Sequence, residues 1–455
     1  LVGSEMCIRD RGHGYGSLDR VAVINAVNHS QPYFPGQGKG LTGGAHPPTW
    51  QHAPFRGLPN KSSMGLMDQN LPRAGNAGLA LLALSTGGFA IGTTEFGTMG
   101  LVPYFSQGLY VDIAQAGRVI SAYALGVVVG APILCVAAAK LPQRRLLIGL
   151  MVLFALGNLL SGLAPSFGWM LVFRFLAGLP HGAYFGVASL VAAELVPAEK
   201  RTQAIASVIT GLTVATIFGV PLANAIGQLL NWRLAFVLVA VLALVTAVMV
   251  WKLVPRRDNS GAPAKNPLDE LDALKNKHVW LTAAIGAIGF GGIFAAYTYF
   301  ASTFLQVTHG APYLVPLVLG CFGVGITVGN ILTARFADKA LMPTVAGVLI
   351  WSAAALALYP FMTGHVWSMC LAALLIGGGG GLGSPLQARL MLVAGRAQTL
   401  AAALNQSAMN IANALGPLLA GTAISLGAAL PQTGLVGCLL ALAGLVVWWL
   451  ALRAV

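Results

Sequence analysis

The chain has 455 residues, of which 56% are hydrophobic and only 9% carry a charge. Soluble domains average about 25% charged residues, so this composition argues against a soluble globular enzyme. Lysine and arginine outnumber aspartate and glutamate by 26 to 13. Such an excess indicates nucleic-acid binding only where the basic residues form one patch, so their positions along the chain decide what the charge means.

The first 63 residues differ in composition from everything that follows. They are rich in Gly, Pro, His and Asn, and their longest apolar run, VAVINAV, is too short to span a membrane or to resemble a signal peptide. The opening LVGSEMCIRDR looks like translated adapter sequence, which predicts a native start at Met64 or Met67 and a non-native tail. The alternative is a genuine disordered extension.

From Leu71 onward the sequence is a series of apolar segments. Each is near the roughly 20 residues that a helix needs to cross about 30 Å of hydrocarbon, so we predict an all-α membrane protein. We number twelve predicted spans in chain order, at residues 77–101, 115–138, 146–164, 168–192, 203–227, 233–253, 279–304, 313–335, 342–361, 365–388, 399–427 and 433–452.

The basic residues test this topology, because Lys and Arg accumulate in cytoplasmic loops. If the N-terminus is cytoplasmic, most of the 26 basic residues face the cytoplasm, and only Arg118 and Arg233 fall in outer loops. We therefore predict that both termini are cytoplasmic. The excess of positive charge then reflects the orientation of the chain in the membrane, and we expect no nucleic-acid partner.

A polar loop at 254–277 separates six predicted spans from six more. Two segments echo each other across this loop: GVVVGAP from Gly126 in span 2 and GITVGNI from Gly325 in span 8. Such repeats are typical of transporters built from two parallel halves around a midplane site. The predicted domains are a tail at 1–63, an N-terminal six-helix bundle at 64–253, a cytoplasmic linker at 254–277 and a C-terminal six-helix bundle at 278–455.

Several longer motifs carry a resemblance to a known family. They are GTTEFGTMGLVP from Gly92, YALGVVVGAP from Tyr123, RFLAGLPHGAYFG from Arg174, GVPLANAIG from Gly219, NWRLAF from Asn231 and ARFADK from Ala334. On these motifs, the chain from about Leu71 to its end resembles a major facilitator superfamily transporter of the drug:proton antiporter-1 type, near the bacterial sugar-efflux and chloramphenicol-efflux exporters. The resemblance implies the major facilitator fold and a place in the bacterial inner membrane.

Two charged residues inside the predicted spans are the main functional candidates, because a charge in hydrocarbon is costly and usually faces a cavity or a partner. Glu95 lies about 18 residues into span 1 and Arg174 about six residues into span 4, so the 1.5 Å helical rise places both in the outer half. The resemblance implies that both line the central cavity and serve proton coupling, and that Gly178 completes an Arg-x-x-x-Gly pattern with Arg174. The alternatives are a structural acid and an arginine that anchors backbone carbonyls.

His181 follows Arg174 by seven residues, which returns to nearly the same helix face. An unperturbed histidine titrates near working pH, so His181 is a candidate proton relay. The alternative is a packed histidine that is hydrogen-bonded in the core.

The candidate substrate cavity is suggested by uncharged polar groups. Gln406, Asn410 and Asn413 in span 11 have i, i+4, i+7 spacing and predict a polar stripe, which either lines the cavity or joins helices. Tyr297 and Tyr299 in span 7 point to different sides of a helix, so we expect at most one of them, Tyr297, to reach the cavity. An interfacial aromatic belt is the alternative.

Glycines, prolines and loop charges suggest conformational gating. The resemblance relates Gly219 and Pro221 in span 5 to the antiporter pattern that favours export, in a shortened form. It also implies a cytoplasmic charge clamp, for which Asp338 and Lys339 remain after span 8, whereas AAKLPQRR, ending at Arg144 and Arg145, has no acid. The run GGGGGLG in span 10 lacks the Lys-Ser or Lys-Thr of a phosphate-binding loop, which favours close helix packing.

The sequence offers no nucleophile with a base, no nucleotide-binding loop and no metal-ligand spacing. We therefore predict a secondary transporter that is not an enzyme, needs no cofactor or metal, and exports small organic molecules of drug, sugar or nucleoside type by proton antiport with alternating access. Its expected partners are the substrate, protons and the lipid bilayer, and we expect a monomer. The alternatives are an uncoupled facilitator or symporter, and a non-transporting membrane sensor or scaffold.

Overall fold

The computed structural model describes residues 74–137, 141–197, 200–256, 275–395 and 397–454. Within these ranges the chain is almost entirely helical, and no β-strand occurs in them. The predicted tail at 1–63 and most of the predicted linker at 254–277 lie outside the described residues. The two groups of helices on either side of that linker are called the first and second halves below.

Each predicted span corresponds to a helix or to a helical segment with a local irregularity. In the first half, the spans are Ala74–Gly100, Ile113–Ala137, Gln143–Gly162, Phe167–Glu194, Arg201–Leu229 and Trp232–Leu253, with a short helix Val102–Gly108 after span 1. Span 5 consists of the α-helix Arg201–Val214, the π-helical segment Ala215–Gly219 and the α-helix Val220–Leu229.

The second half is more interrupted. Span 7 is divided into Lys277–Gly289, Gly291–Tyr297 and Phe300–Gln306, and span 10 into Val366–Gly378, the 3-10 turn Gly379–Leu382 and Gly383–Ala394. Spans 8, 9, 11 and 12 are Val315–Ala337, Leu341–Leu358, Gln398–Ser425 and Thr433–Arg453.

The prediction of twelve membrane-spanning helices is confirmed by these bounds. In the described residues, eleven helical segments are long and apolar enough to cross a bilayer. The twelfth, span 11, has 28 residues, which is about 42 Å at 1.5 Å per residue. Its amide side chains lower its hydropathy, although its length exceeds the hydrocarbon thickness.

Glycines allow spans 2 and 4 to cross at close range. A Cβ at Gly126 would overlap the carbonyl oxygen of Phe175, and a Cβ at Gly178 would overlap that of Tyr123. Small residues at such crossings let helix backbones approach each other in a membrane. The crossing therefore depends on the absence of a side chain at both glycines.

Spans 8 and 10 repeat this crossing in the second half. Gly325 approaches the carbonyl oxygen of Leu374, and Gly377 approaches that of Phe322. Each of these residues follows its counterpart in the first crossing by the same interval along the chain. The repeat predicted from GVVVGAP and GITVGNI is therefore a repeated packing contact, and the glycine run from Gly377 serves helix packing.

The two halves meet at the end of the molecule where span 1 finishes. Here the Phe96 ring lies 6.2 Å from the Phe294 ring and 6.4 Å from the Phe322 ring, measured between centroids. The Ser121 hydroxyl donates a hydrogen bond to the Ala414 carbonyl oxygen at 2.7 Å. One buried apolar cluster includes residues of both halves at this end. If both termini are cytoplasmic, as the distribution of basic residues predicts, this is the outer end. We call the arrangement the outer-closed state.

Toward the opposite end, the buried apolar clusters belong to separate halves. One contains Leu84, Leu147 and Val208 of the first half, and another contains Ile285 and Val345 of the second half. Separate cores allow each half to move as a unit, because such a movement would leave the packing inside each half intact.

Replacement of Gly178 by valine tests the close crossing of spans 2 and 4. The added side chain would meet the backbone of span 2, and overpacking of this kind typically costs about 1–3 kcal/mol. We expect the Gly178→Val protein to give a lower folded yield and a lower melting temperature in detergent. Gly186→Val is the matched control, because Gly186 lies on the same helix, is exposed and has no atom within 4 Å of an added Cβ. Equal melting temperatures for the two variants would contradict the packing argument.

Candidate functional site

Arg174 is held inside the first half by polar side chains from two other helices. It is 1% exposed, and its Nη1 donates hydrogen bonds to Thr94 Oγ1 at 3.0 Å and to Asn158 Oδ1 at 3.4 Å. The Thr94 hydroxyl itself donates to Asn158 Oδ1 at 2.7 Å. Arg174 of span 4 is thereby connected to spans 1 and 3 through side chains. These bonds differ from the anchor to backbone carbonyls that was the alternative prediction.

Aromatic rings provide further contacts for the Arg174 guanidinium. Its central carbon lies 4.3 Å from the centroid of the Tyr123 ring and 5.4 Å from that of Phe236. Cation–π contacts stabilise a desolvated guanidinium, which matters here because Arg174 Nε is buried without a hydrogen-bond partner. Four other helices of the first half, spans 1, 2, 3 and 6, therefore contribute contacts to the charge.

His181 belongs to the same group of side chains, as its shared helix face with Arg174 predicts. Its Nδ1 forms a hydrogen bond with the Tyr123 hydroxyl at 3.0 Å, while its Nε2 is buried without a partner. Tyr123 thus contacts Arg174 through its ring and His181 through its hydroxyl. The role of His181 as a proton relay stays a prediction.

Glu95 makes its hydrogen bond to the other half of the protein. It is 8% exposed, and its Oε1 accepts a hydrogen bond from Asn413 Nδ2 of span 11 at 3.1 Å. The charges of Glu95 and Arg174 are close enough to interact electrostatically, but Arg174 donates its hydrogen bonds to Thr94 and Asn158. Glu95 and Arg174 thus interact through their charges, while each forms its hydrogen bonds with other residues.

The polar stripe of span 11 has three different environments. Asn413 joins the halves through Glu95, while Asn410 Nδ2 donates to the carbonyl oxygen of Gln406 in its own helix at 2.9 Å. The Oδ1 atoms of Asn413 and Asn410 are both buried without a partner. Gln406 is only half-buried. The stripe thus extends from the contact between the halves to a more accessible position.

The two tyrosines of span 7 have separate surroundings, as predicted for opposite helix faces. The Tyr297 ring stacks on Phe322 of span 8 with centroids 3.7 Å apart and lies 6.3 Å from the Phe96 ring. It therefore belongs to the aromatic contact between the halves. The Tyr299 hydroxyl donates to the Pro417 carbonyl oxygen at 3.0 Å, which joins spans 7 and 11 in the second half.

The irregular part of span 5 lies beside the contact between the halves. Gly219 ends the π-helical segment, and a Cβ there would overlap the Thr93 hydroxyl of span 1. The carbonyl group of Thr216, within the same segment, packs against Gly323 of span 8. Pro221 follows at the start of the next α-helix. The segment predicted to influence gating is therefore packed against both halves.

The predicted gating charges lie near the opposite end of the bundle. Arg144 donates a hydrogen bond to the backbone oxygen of Trp251, and Arg145 is exposed. Asp338 and Lys339 are exposed at the end of span 8. Residues 138–140 of the loop between spans 2 and 3 lie outside the described residues, so the predicted asymmetric charge clamp stays a prediction.

Sequence reasoning missed Asn158, Thr94 and Tyr123 as members of the site. Asn158 carried a usable signal, since it is an amide within the otherwise apolar span 3, where polar groups mark helix contacts or function. The roles of Thr94 and Tyr123 could not be predicted from the sequence, because such residues are common in membrane helices. In the described ranges, no group of three His, Cys, Asp or Glu residues is placed to hold a metal ion.

Replacement of Asn158 by leucine tests the support of Arg174. The change removes an acceptor shared by Thr94 and Arg174, and a buried polar group left without its partner typically costs about 1–3 kcal/mol. We expect a lower melting temperature and slower transport. Ser161→Ala is the matched control, because Ser161 is also buried in span 3 and donates only to the Gly157 carbonyl oxygen of its own helix. Indistinguishable melting and flux in the two variants would contradict this role.

Comparisons with known proteins agree with this architecture. A family model described as Major Facilitator Superfamily matches residues 84–398. Inner membrane transport protein YdhP of Escherichia coli (strain K12) is 38% identical over 349 residues, which cover 76% of this chain and 89% of that protein. The chloramphenicol resistance protein of Streptomyces lividans is 34% identical over 357 residues, with coverage of 76% and 89%.

A solved structure shows the same fold at low sequence identity. It is the crystal structure of a bacterial homolog to the human lysosomal transporter Spinster, which matches with a TM-score of 0.64 and 17% identity and covers 84% of this chain and 98% of that one. The family match extends over more than half of the chain, which confirms the resemblance recognised in its motifs. The chain belongs to the Major Facilitator Superfamily and is a multi-pass membrane transporter.

Proposed function

We propose that this transporter exports small organic molecules across the bacterial inner membrane by proton antiport. The observation that carries the proposal is the Glu95 carboxyl, which is 8% exposed and forms a hydrogen bond with Asn413 of the other half. An ionisable group within a membrane span is costly unless it is paired or functional. A carboxyl placed between two moving halves changes its access to water whenever the halves separate.

In the proposed transport cycle, the central site opens alternately to the two sides of the membrane. In the outer-closed state, Phe96 and its aromatic neighbours cover the outer end, and opening of that end would separate Glu95 from Asn413. Glu95 would then exchange its proton with the outer solution, and the return movement would carry that proton inward. An outward-moving substrate would use the same rearrangement of the halves.

The Arg174 guanidinium supplies a fixed positive charge near Glu95. Because Thr94 and Asn158 hold the guanidinium in the first half, Arg174 remains near Glu95 when the second half moves away. An exposed and ionised Glu95 would then have Arg174 as its nearest compensating charge. His181 is hydrogen-bonded to Tyr123, which contacts Arg174. We propose His181 as the residue through which protons reach and leave Glu95.

The proposed substrate site lies along span 11 and the neighbouring part of span 7. Gln406, Asn410 and Asn413 provide amides, and Tyr297 provides a large aromatic surface at the outer end of the site. Amides with an aromatic neighbour suit neutral organic molecules that carry hydrogen-bonding groups. The name of the Streptomyces relative, a chloramphenicol resistance protein, supports a substrate of the drug type for this chain.

The remaining parts of the proposal concern arrangement and gating. The two bundles are proposed to comprise 64–253 and 278–455, to be joined by a cytoplasmic linker at 254–277, and to work as a monomer with both termini in the cytoplasm. Gly178, Gly219 and Pro221 would allow the helices to pack and bend during the movement. The charges at Arg144, Arg145, Asp338 and Lys339 would form contacts at the cytoplasmic end when that end closes.

Transport in inverted membrane vesicles tests proton coupling. Respiration acidifies the vesicle interior, and we expect the wild-type protein to accumulate labelled chloramphenicol inside at least several-fold and to lose it when a protonophore is added. Glu95→Gln cannot exchange a proton, so it should abolish accumulation while downhill equilibration continues. Asp112→Asn is the matched control, since Asp112 is an exposed acid at the start of span 2.

Two outcomes would contradict parts of this proposal. Gradient-driven accumulation that survives unchanged in Glu95→Gln would remove Glu95 from the mechanism. Equilibration without accumulation, for chloramphenicol and for a panel of sugars and nucleosides, would replace antiport with facilitated diffusion.

A further inference from the structure

Of the two polar atoms of the Asn413 side chain, the nitrogen has a hydrogen-bond partner and the oxygen has none. Its Nδ2 donates to Glu95 Oε1 at 3.1 Å, whereas its Oδ1 is buried without a partner, and the residue is 1% exposed. Buried amide oxygens without a partner are uncommon in proteins and call for a physical explanation. The donor that this oxygen lacks must come from a group beside it.

A protonated Glu95 would supply this donor. An ionised carboxylate can only accept hydrogen bonds, while a protonated carboxyl also carries an O–H donor. A primary amide and a carboxylic acid then pair through two parallel bonds, in which N–H donates to the carboxyl oxygen and O–H donates to the amide oxygen. One of these two bonds is present between Asn413 and Glu95, and a proton on the carboxyl would provide the donor for the second.

Other charged or titratable groups near Glu95 have their hydrogen-bonding partners elsewhere. Arg174 of span 4 and Tyr123 of span 2 interact with Glu95 electrostatically. However, Arg174 Nη1 donates to Thr94 and Asn158, and the Tyr123 hydroxyl is bonded to His181. The Glu95 carboxyl is therefore hydrogen-bonded to Asn413 and not to these groups.

We propose that Asn413 is a positioning residue that senses the protonation of Glu95, because the outer-closed state pairs a protonated Glu95 with both atoms of the Asn413 amide. The pair links span 1 to span 11 and so stabilises closure at the outer end. This inference rests on the proposed function only in taking Glu95 as the proton-carrying group.

The sign of the expected pH effect follows from the pairing. Ionised Glu95 leaves the Asn413 oxygen unpaired beside a negative charge, and burial of a charge without full compensation is unfavourable. Opening of the outer end would return that charge to water. Low pH should therefore favour the outer-closed state, and high pH should favour opening.

The conformational equilibrium can be measured without transport. We would attach spin labels to cysteines at Gln107 and Leu426, which are exposed positions of the first and second halves near the outer end, in the full chain otherwise free of cysteine and placed in lipid nanodiscs. Acidification should convert long label distances into short ones. We expect roughly a tenfold change in the ratio of closed to open molecules, the order expected for one or two buried hydrogen bonds.

Four variants separate sensing from simple packing. Glu95→Gln imitates the protonated acid, so its ratio of closed to open molecules should stay high and independent of pH while some opening continues. Asn413→Leu should weaken both the closure and the pH response. The double variant Glu95→Gln with Asn413→Asp exchanges the acid and the amide between the helices, and it should regain closure on acidification. Asn405→Leu is the matched control, because the amide of Asn405 on the same helix faces the Gly383 carbonyl oxygen of its own half.

The inference fails if Asn413→Leu keeps the wild-type pH response, or if the exchanged pair is no more sensitive to pH than Glu95→Gln alone. A structural role for Asn413 would lower stability without restoring a pH response in the exchanged pair. The vesicle assay reports the proposed function separately, since uncoupled flux can occur with or without a pH-dependent closure.

Discussion

The buried charge of Arg174 is the constraint on which the arrangement of the first half depends. A guanidinium removed from water must be compensated by hydrogen bonds and aromatic contacts, and Thr94, Asn158, Tyr123 and Phe236 provide them from four helices. Because Thr94 faces this group, the next residue of span 1 is turned by about 100° around the helix axis. Glu95 therefore faces the second half.

Rigid and irregular segments have distinct places in this molecule. The glycine crossings of spans 2 with 4 and of 8 with 10 hold helices together inside each half, where backbone carbonyls pack against Gly178 and Gly377. The π-helical part of span 5 and the break in span 7 that follows Tyr297 lie beside the contact between the halves. Movement of the halves can thus be absorbed where helices are irregular, while close packing preserves each half as a unit.

Several features of the site were predictable, and others were not. The repeated glycine motifs predicted equivalent contacts, and helix length placed Glu95 and Arg174 at a shared depth, because both inferences use local spacing. The partners of these residues were not predictable in the same way. Thr94 and Tyr123 are ordinary residues for a membrane helix, and local spacing did not indicate that the Tyr297 ring stacks on Phe322. The contacts of these side chains depend on which helices become neighbours in the folded protein.

An all-α chain with twelve membrane-spanning helices in two similar, consecutive halves could be predicted from the amino-acid sequence alone. These properties are local, since hydrocarbon thickness sets span length and the bilayer requires backbone groups to bond within each helix. By contrast, the hydrogen bonds of Glu95 to Asn413, 318 residues away, and of Arg174 to Thr94 and Asn158 are visible only in the folded chain. The physical reason is that the rotation of each helix is set by packing against distant helices, and that rotation selects the partner of every buried polar group.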